Sequence, residues 1–165
     1  MRIYAIRRDQ AGPEGHTHCA VIGTAADQAG TTDFSAAAST QSYTLYTLKA
    51  GDSIQPGMLV DIVTPLAGAG ATYKFQVGIS GGTANQFVGA ASNGDDLKST
   101  TAKAYVGTIT SAPDQTAHYV NTSGSDQTVV GVITAASGNV SALTAGQIKV
   151  WFRVSRRASR DTAQV

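Results

Sequence analysis

With 165 residues, 42% hydrophobic and only 14% charged, the chain is long enough for one domain with a real core and too apolar for wholesale disorder. Ala, Gly, Ser and Thr stand where charges usually do, a mix that favours β-rich coat, fibre and adhesion proteins over metabolic enzymes. The net charge of +1 hides an acidic body, residues 9–152 with five lysines against ten acids, which argues against a nucleic-acid-binding domain.

The first eight residues carry Arg2, Arg7 and Arg8, and residues 2–8 (RIYAIRR) space their β-branched and aromatic side chains as a strand does. Residues 9–42 run through QAGPEGH into a stretch rich in Gly, Ala, Ser and Thr, with few large apolar side chains apart from Phe34. The expectation there is an extended arm or long loop ordered against a neighbour, interrupted by a brief apolar run at 19–22. Residues 43–48 (YTLYTL) alternate Thr with apolar residues. Residues 58–64 put Met58, Val60 and Ile62 on one face and Leu59, Asp61 and Val63 on the other. Strand patterns follow at 73–79, 86–90, 104–110, 117–122 and 128–134. The clearest run is 147–155, with Ile148, Val150, Phe152 and Val154 facing one way and Lys149, Trp151, Arg153 and Ser155 the other. Beyond it the polar tail carries Arg156, Arg157 and Arg160, so all seven arginines lie at the two ends.

Turn chemistry separates these runs, as in KAGD at 49–52, QPG at 55–57, SGG at 80–82 and SGS at 123–125. Val-Gly pairs recur at Val77, Val88, Val106 and Val130, placing glycine inside strands where a bulge or close sheet packing can use it. No segment holds a sustained helical period. The expected fold is all-β, an antiparallel sandwich or barrel. Its organisation divides into a strand and arm (1–42), a β-sandwich domain (43–155) and a polar basic tail (156–165).

A search for chemistry finds little. His16, Thr17, His18 and Cys19 form the one cluster of metal-ligand types, and His16 and His18 would share a strand face. A zinc site needs three or four ligands, and the third histidine, His118, is a hundred residues away. Cys19 is the single cysteine, which excludes an internal disulfide. Gly78 to Gly82 resembles a nucleophile elbow around Ser80 but lacks the strand–Ser–helix setting, so it reads as a hairpin turn. No phosphate-cradling loop occurs, and the adjacent Asp95 and Asp96 would point apart in a strand and suit a turn better than an acid/base pair, so neither enzyme activity nor a cofactor is expected. Trp151 reads as a core or subunit-interface residue, or else as a stacking platform for a glycan. No stretch approaches the ~20 apolar residues of a membrane span. MRIYAIRRD lacks the apolar run of a secretion signal, so synthesis in the cytosol is expected.

Residues 43–154, about two-thirds of the chain, resemble small β-sandwich proteins encoded among tailed-bacteriophage structural genes. The motifs that carry the resemblance are LKAGDSIQPGMLV at 48–60, FQVG at 75–78, QFVG at 86–89 and LTAGQIKVW at 143–151. The resemblance implies a jelly-roll-like decoration (cement) protein on the outside of a virion capsid, commonly a trimer, whose partner is the major capsid protein. The arm at 9–42 is not part of the pattern. On this reading the capsid-binding candidates are Arg2, Arg7, Arg8, Arg153, Arg156, Arg157 and Arg160, because the guanidinium fork suits carboxylates and backbone carbonyls. If the first and last strands share a sheet, both arginine groups fall on one side. The rival expectations are a receptor-binding or fibre-tip domain that recognises host glycan or protein, an enzyme using His16 and His18, and a head–tail connector.

Overall fold

A computed structural model describes residues 2–5, 15, 17–24, 33–69, 72–82, 86–88, 104–107 and 119–156. Within them the chain is all-β apart from short 3-10 structure, as in the turn at Val140–Ala142. A five-stranded sheet contains β1 (Arg2–Ala5), β2 (His18–Thr24), β5 (Met58–Gly68), β7 (Ala104–Gly107) and β10 (Leu143–Phe152), in the order β1-β2-β10-β5-β7. A second sheet has the order β3-β9-β6, from β3 (Thr40–Leu48), β9 (Gln127–Ala135) and β6 (Tyr73–Ile79). Val88 extends it through a bridge to Val77. A small third sheet joins β11 (Val154–Ser155), β4 (Ser53–Ile54) and β8 (Tyr119–Val120). All pairings between these strands are antiparallel.

The two larger sheets close on one core. From the first come Ala20, Ile22, Met58, Val60, Ile62, Ile148, Val150 and Phe152, and from the second Tyr43, Leu45, Tyr73, Phe75, Val77, Val129 and Ile133. Burial follows the period-two alternation of residues 58–62 and 148–152, as a sheet with one face toward the core requires. Along the chain the strands alternate between the sheets: β2, β5, β7 and β10 in one, β3, β6 and β9 in the other.

Three local findings differ from the sequence reading. Residues 18–24 lie inside the stretch expected as an arm, and the brief apolar run at 19–22 is there the centre of a full interior strand, β2, between β1 and β10. Phe34 is also in the core, 2% exposed. The small residues that suggest an arm are close-packing residues here: a Cβ at Gly23 would fall 2.1 Å from the carbonyl oxygen of Gly146 on β10. Polar ties hold residues 33–36 in place. Gln41 accepts from the backbone N–H of Ser35 and Ala36 at 3.0 Å each, and the N–H of Gly23 donates to the Asp33 carboxylate at 3.0 Å. The second difference is in the last run, which is two strands. The chain leaves the five-stranded sheet after Phe152, and Val154 pairs with Ile54 in the small sheet. The third is in β5, which continues through Pro65 to Gly68. Proline is tolerated because β7 pairs only with Met58–Asp61, so the missing N–H breaks no described ladder bond on that edge.

Candidate functional site

Of the seven arginines, the structure describes Arg2, Arg153 and Arg156, while Arg7, Arg8, Arg157 and Arg160 lie outside the described residues. Arg2 opens β1 opposite Val21. Ala5 ends β1 opposite His18, and His18 is also opposite Phe152, the last residue of β10. β1 and β10 therefore run parallel to each other on the two sides of β2. Their carboxy-terminal ends leave the sheet together, roughly 10 Å apart at two strand spacings. Arg153 follows Phe152 directly, and the described part of β1 stops two residues before Arg7.

Arg153 is the corner at which the chain changes sheets. Its Nε donates to the carbonyl of Gly15 at 3.2 Å, and its own carbonyl accepts from the N–H of Gln55 at 2.9 Å. The next N–H, of Val154, donates to Thr17 Oγ1 at 3.1 Å, while the N–H of Thr17 donates to the Phe152 carbonyl at 3.1 Å. Three hydrogen bonds thus hold the corner to the segment that enters β2, and a fourth ties it to Gln55 beside β4. Arg153 and Arg156 are both exposed there.

Beneath the corner, His18 points inward from β2. Its ring stacks on Phe152 at 5.3 Å and 12°, and meets Tyr46 of β3 edge-on at 4.9 Å and 65°. Tyr46 and Phe152 close the triangle at 5.8 Å, which joins the two large sheets at this end of the sandwich. Thr17 Oγ1 lies 2.8 Å from His18 Nδ1. Burial, and then the positive charge of Arg156, lower the pKa of His18 below its ordinary 6.5. His16 and His118 lie outside the described residues. Among the described residues no three His, Cys, Asp or Glu side chains gather as metal ligands.

Cys19 faces away from His18 and is buried. Burial pushes its thiol up to about 11, with Lys149 opposing the shift and Asp61 adding to it. Ser80 is exposed in the turn after β6, whose next residues close through the N–H of Gly82 to the Ile79 carbonyl at 3.1 Å. Trp151 stands between Cys19 and Leu59 on the outer face of the five-stranded sheet. It is half-buried, which corrects the reading of it as a core residue. The physical reason is phase, since Val150 and Phe152 already occupy the inward positions.

Alongside Arg156, the small sheet opens onto a groove of about 590 Å³ whose walls include Gly51, Ser53, Val120, Thr122 and Ser155. No signal in the sequence marked it, because its walls come from three separate two-residue strands and the turns beside them. The Tyr46–His18–Phe152 triangle was equally invisible there, its members lying on β3, β2 and β10. No helix among the described residues is long and apolar enough to cross a membrane. Comparison with protein-family models, curated proteins and solved structures finds no match to this chain.

Proposed function

We propose that this protein is a structural component of a tailed-phage virion that decorates the capsid from outside, binding between subunits of the major capsid protein and stabilising the shell without catalysis. The observation that carries this reading is the convergence of β1 and β10 at His18, which brings the exits toward Arg7 and Arg8 and toward Arg153 and Arg156 to one end of the sandwich. That end can engage carboxylates and carbonyls of a neighbouring protein through guanidinium forks, while the acidic body stays in solvent. The alternation of strands between the two large sheets supports a jelly-roll winding, in which consecutive strands cross from one sheet to the other. Each copy would bridge neighbouring capsid subunits, most simply as a trimer, and many modest contacts per particle would sum through multivalency.

The test is the copy number of the protein in purified particles, by quantitative mass spectrometry against the major shell protein. A simple stoichiometric ratio is expected. A handful of copies per particle would instead indicate a fibre or connector, and absence would remove the virion reading.

A further inference from the structure

We propose that the groove beside Arg156 is a docking site for an extended protein segment bearing an acidic side chain, with Arg156 receiving the carboxylate and the groove walls receiving the segment's backbone. The preceding functional reading enters only in naming the capsid as the source of that segment; the site itself is argued from its walls.

The groove's volume, about 590 Å³, holds several residues of extended chain rather than a lone ion. Among the described residues Arg156 is the one charged residue in its lining, and no acid lines it. The nearby Asp126 carboxylate is engaged by Lys49 Nζ at 2.6 Å. The walls are otherwise short: Gly51, Ser53, Thr122, Gly124 and Ser155. Short walls let a peptide backbone approach closely, and a hydroxyl can donate to its carbonyls or accept from its N–H groups. Val120, among the few large apolar side chains left exposed, gives the aliphatic part of a segment one place to rest.

The floor is rigid before any ligand arrives. Buried Asn121 donates to the carbonyls of Leu48 at 2.9 Å and Ser125 at 2.8 Å, and its oxygen accepts from the N–H and hydroxyl of Ser123. A site whose walls are already fixed loses little freedom on binding. Among the described residues the lining offers a single cation within an acidic body, a poor match for a polyanion, since nucleic acids and sulfated glycans are held by several cations at once. One carboxylate on an otherwise neutral chain fits better.

The experiment is a titration of the full-length ¹⁵N-labelled protein at low salt with the capped peptide Ser-Gly-Glu-Gly-Ser, followed by amide chemical shifts. Saturable shifts are expected at Gly51, Ser53, Thr122 and Gly124. Exchanging the peptide's Glu for Gln, or making Arg156→Gln, should weaken binding about tenfold. The charge-neutral Thr122→Trp, which fills the groove, should do the same, with the thermal unfolding of both variants unchanged. No shifts at ~10 mM peptide, shifts outside the groove, or undiminished binding to Thr122→Trp would each overturn the proposal, the last by reducing it to diffuse attraction toward the arginines. Tighter binding of a sulfated disaccharide in the same groove would overturn it in favour of a glycan site. No capsid enters this titration, so its outcome and that of the copy-number measurement can fail separately.

Discussion

His18 and Cys19 are neighbours in sequence and opposites in environment, and each environment decides what its side chain can do. Cys19, with its thiol raised to about 11, is protonated at neutral pH and a poor nucleophile. His18 is held neutral between two aromatic rings, with Arg156 adding to the effect of burial. Because its folded pKa lies below the unfolded value of 6.5, the unfolded chain binds the proton first as pH falls. The contribution of His18 to stability is therefore present above 6.5 and is lost as pH drops from there through the folded pKa. Urea midpoints measured at about pH 7.5 and about pH 5.5 should differ more for the wild type than for His18→Phe. Equal differences would mean that this ring is not the group responsible. Arg156→Gln should raise the imidazole pKa seen by NMR only partway, since burial, the larger cause, remains.

At the scale of elements, β10 is the strand on which register depends, because it pairs with β2 on one side and β5 on the other. Its contact with β5 is irregular. Gln147 faces Thr64 and Ala145 faces Ala67, so Pro65 and Leu66 together stand opposite Gly146. A bulge of this kind bends the strand and brings the chains close. Gly146 meets both demands, with φ +137° and with space for a Cβ only 2.3 Å from Leu66 Cδ2 and 2.9 Å from Leu66 Cα. Gly146→Ala should destabilise the fold by about 3 kcal/mol, from backbone strain and overpacking combined. Gly138→Ala is the matched control, with φ +78° and nothing within 4 Å, and should cost about 1 kcal/mol. Urea unfolding separates the two, and equal losses would count against the close approach at the bulge. Exposed Lys49 and Asp126 form a surface pair that, by contrast, contributes little.

The whole molecule is an acidic sandwich with its described C-terminal arginines at one end, and salt is the natural probe of that arrangement. On the proposed decoration role, replacing Arg153, Arg156 and Arg157 together with Gln should weaken binding to capsids by about ten- to a hundredfold at low salt, if each guanidinium contributes as a partly exposed ion pair does. The difference between wild type and variant should shrink as salt is raised. Binding indifferent to both changes would remove the arginine end as the docking surface. Arg153 also pins the corner through Gly15, so the thermal unfolding of the triple variant must be measured beside its binding.

The all-β class was legible because alternation is a local property: the side chains of 58–62 and 148–152 declare their faces with no knowledge of their partners. The segregation of arginine to the chain ends was equally plain, being a matter of counting. Local pattern fails where a strand is two residues long, as at Ser53–Ile54, and it understates a strand flanked by small side chains, as at 18–24, where only the run 19–22 stood out. It also cannot say which strands pair. That β2 inserts between β1 and β10, that His18 meets Tyr46 and Phe152, and that a groove opens beside Arg156 all depend on contacts between residues far apart in the chain. The sequence by itself determined the period and the placement of charge. Only the tertiary structure decided the partners, because pairing and packing are set by the shape of what lies across the sheet rather than by what lies next along the chain.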